Sequence, residues 1–210
     1  AAQYFQEAID LDPKYAAPHA SMGMILNLSV LQGRSKSPKE SIEAATKFAE
    51  KALELDESYP PVYLALGGIE RYKGQFDKAI NAYERGLALD PNNQGLLTGL
   101  GSASMGDGRP EEAILHLKRA IRVNPLDPSM ALQGLGQVYC RTGRYEEAIP
   151  PLKQAIRNRP QMFQAHLELA ACYAGLGKEE EARAAAAEVL KMNPKFTVEG
   201  YAKSMQLKDK

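Results

Sequence analysis

The amino-acid sequence predicts an all-α fold, a right-handed α-solenoid of stacked helix–turn–helix repeats. Three residue types recur with a fixed spacing and support this prediction. A glycine is followed five residues later by an alanine and twelve residues after that by a proline. Successive glycines lie 34, 35 and 34 residues apart (108−74, 143−108, 177−143), a period typical of paired-helix repeats. The four triplets are Gly74/Ala79/Pro91, Gly108/Ala113/Pro125, Gly143/Ala148/Pro160 and Gly177/Ala182/Pro194.

Each of these residue types has a mechanical role in a helix pair. The glycine is expected to end the first helix in a left-handed conformation, which glycine adopts at little cost. The alanine is expected where the two helices cross closely. The proline follows the second helix and cannot continue it. A second pattern predicts where the first helices lie. In it, a large residue stands three positions before Leu-Gly or a similar pair, as Tyr63 stands before Leu66-Gly67.

The elements follow in chain order. Residues 1–13 align with a second helix, which suggests a truncated first repeat and a natural protein that continues upstream. Residues 16–59 form a repeat of 44 residues, ten more than the period (59−16+1=44), with an insertion near 29–40. Regular repeats are predicted at 60–93, 94–127, 129–162 and 163–196. Residues 197–210 are expected to form a capping helix with an apolar face of Val198, Tyr201, Ala202 and Met205, giving about twelve helices and no strands.

The insertion is interpreted as a lengthened first helix followed by a polar loop at 33–38. A surface insertion that the fold tolerates is the favoured interpretation, since loops accept extra residues readily. A binding role for the loop is the alternative.

Composition limits the classes of function. The 26 basic and 26 acidic residues cancel, so non-specific attraction to nucleic acid or to membranes is not expected. No apolar run is long enough to cross a membrane, and no secretory signal segment is present. Two cysteines do not form a disulfide framework, so a reducing, cytoplasmic compartment is the expectation.

No catalytic or metal-binding constellation is evident, so neither an enzyme nor a cofactor is predicted. His19 and His166 occupy the repeat slot of Tyr63, which favours packing over metal ligation. Cys140 and Cys172 lie on neighbouring first helices two places out of register, so they are expected to point apart. The glycine-rich stretch 94–108 lacks the Lys-Ser/Thr of a phosphate loop, and its register predicts a helix softened by glycine.

Helical spacing places a set of first-helix residues on the concave groove that such a solenoid forms. We expect a depression of small residues, Gly95, Thr98 and Ser102, beside Gln133 and Gln137. Methionine adapts to varied apolar partners, and glutamine can bond a peptide backbone on both sides. The alternative is a solvated surface of short residues. The predicted binding residues are Met24, Asn27, Leu64, Arg71, Gly95, Thr98, Ser102, Met105, Met130, Gln133, Gln137 and Arg141.

The repeat pattern resembles that of tetratricopeptide-repeat proteins over nearly the whole chain. A narrower resemblance, to the C-terminal repeats of bacterial adenylate/guanylate cyclases and related signalling regulators, is carried by 33–56, by GRPEEAI at 108–114 and by the ending from 184. The family resemblance implies a protein–protein interaction module, such as a scaffold or regulatory segment, that binds a peptide or helix. The cyclase resemblance implies, as an alternative, a sensory or oligomerising segment.

The chaperone-binding members of the family grip a C-terminal carboxylate with basic residues and asparagines on their first helices. At the corresponding places this sequence has Ala20, Met24, Ala65, Met130 and Gly134. Binding of Hsp70 or Hsp90 tails is therefore not expected.

The N-terminal helix is expected to leave one side uncovered. Ala1, Phe5 and Ala8 share that side, with Tyr4 close by, while Ile9 and Leu11 should turn towards the next repeat. An exposed aromatic edge predicts either fraying or a homodimer formed through it.

Overall fold

The computed structural model describes residues 2–31 and 34–201, and the described part of the chain contains eleven α-helices, a further helical turn at 198–201 and no strand. Two compact units divide them: α1–α6 lie in unit 1, residues 1–107, and α7–α11 in unit 2, residues 108–210. The boundary falls inside the predicted repeat 94–127. The helices are α1 Ala2–Leu11, α2 Ala16–Leu31, α3 Pro38–Leu55, α4 Pro60–Tyr72, α5 Phe76–Leu89, α6 Gln94–Gly106, α7 Pro110–Val123, α8 Ser129–Arg141, α9 Tyr145–Asn158, α10 Phe163–Gly175 and α11 Glu179–Met192.

The four repeated glycines turn the chain between helices, as predicted. Gly74, Gly108, Gly143 and Gly177 have φ values of 74°, 77°, 76° and 70°. At three of these turns the amide of the residue after the glycine, three residues beyond the helix end, reaches back to a carbonyl five residues earlier, for example Arg144 N to Tyr139 O at 2.8 Å. This is the hydrogen bond that a left-handed residue at a helix end permits.

The repeated alanines lie at close helix contacts. Ala79, Ala113 and Ala148 have no exposed surface, so any larger side chain there would separate the packed helices. Ala182, in the last pair, is half-buried. Acidic residues open the second helices and bases close several of them, as the helix dipole favours.

The inserted residues lengthen two helices. Helix α2 has 16 residues and α3 has 18, against 13 in each of α4, α6, α8 and α10 and 14 in each of α5, α7, α9 and α11. Residues 34–37 are not helical, and Ser35 Oγ lies 2.8 Å from Ser41 Oγ. The lengthening of α3 was not predicted.

In three repeats, one slot near the start of the first helix ties that helix to the turn before it. His19 Nε2 lies 3.1 Å from the carbonyl oxygen of Pro13, and His166 Nε2 lies 3.0 Å from that of Pro160. Tyr63 uses its hydroxyl in the same way, donating to Glu57 O at 2.8 Å. These contacts confirm the packing role predicted for the two histidines.

The two ends of the described chain differ in part from expectation. Ile9 is buried, but Leu11 is 89% exposed, so the prediction that Leu11 turns inward was wrong. Phe5 is half-buried and Tyr4 is 74% exposed. In unit 2, the ring of Phe196 meets Phe163 edge-on at 5.4 Å, and residues 198–201 are helical.

Of the predicted capping face, Tyr201 is half-buried and Val198 is 74% exposed. Ala1, Gly33, Ala202 and Met205, with the rest of the predicted capping helix, lie outside the described residues.

Candidate functional site

The predicted binding residues lie on the first helices of both units. In unit 1 they lie on three helices, α2, α4 and α6, and in unit 2 on α8 alone. Met130 is 51% exposed, Arg141 is exposed, Asn27 is buried, and the others are half-buried. The unit 1 residues are Met24, Asn27, Leu64, Arg71, Gly95, Thr98, Ser102 and Met105; the unit 2 residues are Met130, Gln133, Gln137 and Arg141.

The polar centre of unit 1 is the hydroxyl of Tyr83, a buried residue of α5. Burial raises the pKa of Tyr83, while the charge of Arg71 and its hydrogen bond to the hydroxyl act in the opposite direction. Two glycines let the neighbouring helices approach this ring. A Cβ on Gly99 would lie 2.6 Å from Tyr83 Cζ, and a Cβ on Gly68 would lie 2.7 Å from Asn27 Nδ2. Helices α2 and α4 therefore bring Asn27 and Arg71 close to one phenol, which α6 approaches through Gly99.

Several polar atoms in this region have no partner. Asn27 Oδ1, Arg71 Nε and Thr98 Oγ1 are buried and form no hydrogen bond with the described residues. His19 Nδ1 is the only other such side-chain atom in the described part of the chain. Buried polar atoms are nearly always bonded. The three exceptions lie on predicted binding residues, which makes them candidates for bonds to a ligand.

In unit 2, α8 and α10 are organised around a buried carboxylate. Glu168 is 9% exposed. Gln133 Nε2 donates to both of its oxygens, at 2.8 and 2.9 Å, and Gln137 Nε2 donates to Oε1 at 2.9 Å. Burial raises the pKa of Glu168 to about 8, and the two amide donors oppose that rise.

The predicted roles of the two glutamines need correction. Each amide nitrogen already donates to Glu168, which leaves fewer N–H groups for a peptide backbone than predicted. Sequence reasoning missed Glu168 itself. One sequence feature could have revealed it. Glu168 is an acidic residue at a repeat position where the α8 repeat has Gly134 and the α4 repeat has Ala65.

Two family sequence profiles, both described as tetratricopeptide repeat, match residues 71–138 and 134–195. Together they span more than half of the 210 residues. The chain belongs to the tetratricopeptide-repeat family. As a repeat chain of this family it is a protein–protein interaction module, and such modules are typically not enzymes.

Curated relatives match the tetratricopeptide-repeat chain over limited stretches. It is 41% identical over 73 residues to Hsp70-Hsp90 organizing protein 3 of Arabidopsis thaliana, which is 31% of this chain and 13% of the relative. It is 33% identical over 119 residues to Hsp70-Hsp90 organizing protein 1 of Glycine max, which is 53% of this chain and 19% of the relative. The matched part is therefore less than a fifth of the length of either relative.

Solved structures support the fold. A thermophilic tetratricopeptide-repeat protein of Thermus thermophilus superposes with a TM-score of 0.72 at 24% identity, over 91% of this chain and 97% of that one. YrrB, described as having an unusual peptide-binding site, gives a TM-score of 0.57 at 24% identity, over 97% of this chain and 99% of that one. At this level of identity the likeness concerns the fold alone.

The two cysteines of this tetratricopeptide-repeat chain do not point apart as predicted. The two thiols interact, which lowers the pKa of Cys140 and raises that of Cys172, and burial contributes to the second shift. Cys140 Sγ also lies 3.7 Å from the carbonyl oxygen of Glu168, one helical turn before Cys172. The prediction was wrong because the repeat register gives each residue's position along its own helix. It does not give the relative height of two neighbouring helices.

The described residues lack two further kinds of site. They contain no group of three or more histidine, cysteine or acidic side chains arranged to hold a metal ion. None of the helices is long and apolar enough to cross a membrane.

Proposed function

We propose that this chain holds an extended peptide or a helix of a partner protein against its first helices, as a scaffold or regulatory segment of a larger protein. The observation that carries the proposal is the set of unbonded polar atoms in unit 1: Asn27 Oδ1, Arg71 Nε and Thr98 Oγ1. A peptide backbone offers both an N–H for the first and a carbonyl for the second, once the side chains that bury these atoms move aside. The proposal assumes the reducing, cytoplasmic compartment that the cysteine content predicts.

The surroundings of these atoms suit a side chain of the partner. Met24, Leu64 and Met105 are half-buried, and Gly95 and Ser102 are small. A Cβ on Gly95 would lie 3.2 Å from Leu64 Cδ2, so the leucine side chain fills the space beside that glycine. Methionine and leucine give an apolar surface that can adapt to a bulky partner residue.

The proposal is tested by selecting peptide binders and then filling the small-residue surface. We would select binders from a displayed library of random peptides and measure their affinity by fluorescence anisotropy. Ser102→Tyr should weaken the selected peptides at least about tenfold, which is about 1.4 kcal/mol. Its helical circular dichroism should be unchanged, because Ser102 is half-buried and its hydroxyl bonds only to Thr98 O.

The matched control is Asn81→Tyr, which adds the same ring to an exposed position of the second helix α5. That variant should bind as the unmodified chain does. If Ser102→Tyr and the unmodified chain bind the peptides with equal affinity, the peptides do not bind at this surface. The same conclusion holds if Ser102→Tyr and Asn81→Tyr weaken binding equally.

Chaperone tails are not the proposed ligand, although the two curated relatives described above are Hsp70-Hsp90 organizing proteins. The five positions at which the chaperone-binding pattern requires basic residues or asparagines have none. Ala20, Ala65 and Gly134 are buried, Met24 is half-buried and Met130 is exposed. A carboxylate therefore finds no cation at these positions.

The alternative function, a sensory or oligomerising segment of a signalling enzyme such as a nucleotide cyclase, rests on the sequence resemblance alone. No described feature favours it over peptide binding. The sequence upstream of Ala1 in the natural gene would decide between them, since a cyclase or DNA-binding domain there would support the alternative.

A homodimer through α1 is a further proposal about partners. Tyr4 is 74% exposed and Phe5 is half-buried on this helix, so a second copy would cover aromatic surface. Phe5→Glu should convert a dimer to monomer in sedimentation velocity, whereas Lys39→Glu on the exposed start of α3 should not. An unmodified chain that sediments as a monomer at all concentrations would contradict the proposal.

A further inference from the structure

The carboxylate of Glu168 is buried without a cation. Its three hydrogen bonds come from the neutral amides of Gln133 and Gln137, and no described ion pair includes it. Buried charges in proteins are usually paired, because taking an isolated charge out of water is costly. The ionised form of this carboxyl therefore has hydrogen-bond donors but no ion-pair partner among the described residues.

The pattern of bonds defines what is missing. A carboxylate has about four lone-pair positions. Oε1 accepts from both glutamines and Oε2 accepts from Gln133 only, so one position remains, on Oε2. A single donor fits that position, whereas a guanidinium fork needs two.

We propose that Glu168, held in position by Gln133 and Gln137, receives the ammonium group of a lysine from the bound partner segment. This inference rests on the proposed function for its biological meaning. It names the chemistry that unit 2 selects: a lysine in the segment that lies against α8 and α10.

The charged and titratable groups around the carboxylate set the conditions for binding. Arg141 favours the ionised carboxylate, Cys140 and Cys172 interact with it electrostatically, and so does Tyr201. Because the pKa of Glu168 is raised to about 8, much of the carboxyl is neutral at pH 7. A bound ammonium stabilises the ionised form and must therefore lower this pKa, which makes the pKa a direct readout of binding.

The experiment follows Glu168 by NMR of protein with 13C-labelled glutamate, using n-butylammonium chloride as a lysine side-chain mimic. The Glu168 resonance is assigned from its loss in Glu168→Gln. We expect 100 mM n-butylammonium to lower the pKa of Glu168 by about half a unit or more relative to 100 mM sodium chloride. The same concentration of n-butanol should leave it unchanged, and n-butylguanidinium should have the smaller effect of the two cations.

Two variants complete the test. In Arg141→Ala the shift caused by n-butylammonium should grow, since a competing cation is gone. Glu146, on an exposed part of α9, is the internal reference and should not respond. An equal pKa shift at Glu146 and Glu168, or the same pKa of Glu168 in both salts, would overturn the inference. Neither result depends on peptide binding by unit 1, so failure here is distinct from failure of the proposed function.

Discussion

The first-helix surfaces of the two units treat buried polar groups in opposite ways. In unit 1, atoms of Asn27, Arg71 and Thr98 are buried and unbonded. In unit 2, the buried carboxylate of Glu168 accepts three hydrogen bonds from Gln133 and Gln137. The first surface lacks bonding partners, whereas the second has its hydrogen bonds but lacks a counter-charge.

The difference shows that one repeat pattern can support two kinds of recognition. The repeat requires specific residues where helices cross and turn, and it leaves the first-helix surface free to vary. An unbonded amide or hydroxyl favours a neutral hydrogen-bonding ligand such as a peptide backbone. An uncompensated carboxylate favours a cation. We therefore expect the two surfaces to respond differently to pH and to loss of a polar group.

The largest expected effect is the pH dependence of stability caused by Glu168. Its pKa rises from 4.5 to about 8 on folding, so the folded chain holds more protons than the unfolded chain between these values. The stability that Glu168 contributes is fully present below pH 4.5 and is lost progressively as the pH rises to about 8. Relative to Glu168→Gln, the unmodified chain should lose up to about 5 kcal/mol between pH 4 and pH 9.

Urea unfolding of both proteins across this pH range, followed by circular dichroism, measures the difference. The two proteins differ at residue 168 alone, so the contributions of all other groups cancel in the comparison. Parallel stability profiles would mean that the carboxylate is as well solvated in the fold as in the unfolded chain.

A smaller effect is expected when one polar partner is removed from each surface. Gln133→Leu deletes two donors to a buried carboxylate and should cost about 2–3 kcal/mol at pH 9. Thr98→Val removes a hydroxyl whose oxygen accepts no bond, at nearly constant volume, and should change stability by less than about 0.5 kcal/mol. Urea midpoints of the two variants at pH 9 provide the measurement, and equal losses would show that the two surfaces do not differ.

The smallest effect is a difference in local opening between two first helices of equal length. Helix α6 contains Gly99 and Gly101 in its interior, and each costs about 1 kcal/mol relative to alanine. Amides of 94–107 should therefore exchange with deuterium faster than those of 163–176. Mass spectrometry of peptides from these two segments makes the comparison directly, and equal protection would mean that packing around Tyr83 offsets the glycines.

The sequence was sufficient for the helical framework because its signals are local. Gly74 is left-handed and Ala113 is fully buried for reasons that spacing alone expresses. The glycine-rich stretch at 94–106 forms a helix, with Asn93 Oδ1 accepting from Leu96 N at 3.1 Å at its start. The failure at Leu11 was also local, since it is the last residue of α1 and faces solvent there.

The surface chemistry was harder to predict because it depends on distances between helices. Gln133 and Glu168 are 35 residues apart and meet only because α8 and α10 are neighbours at a particular offset. The same offset brings Cys140 and Cys172 together, contrary to the prediction. A repeat period gives the order of the helices, but a change of one residue in their relative height changes which side chains touch.

The slot held by His19, Tyr63 and His166 gives the solenoid two kinds of joint. In these three repeats a side chain bonds to the carbonyl of the preceding turn. In the other two repeats the slot holds Leu97 and Leu132, which are buried and can only pack. Apolar contacts weaken on cooling, whereas a hydrogen bond to a carbonyl does not depend on the entropy of water in the same way. Cooling should therefore weaken first the two leucine joints, which lie at the starts of α6 and α8. The three hydrogen-bonded joints should stay closed.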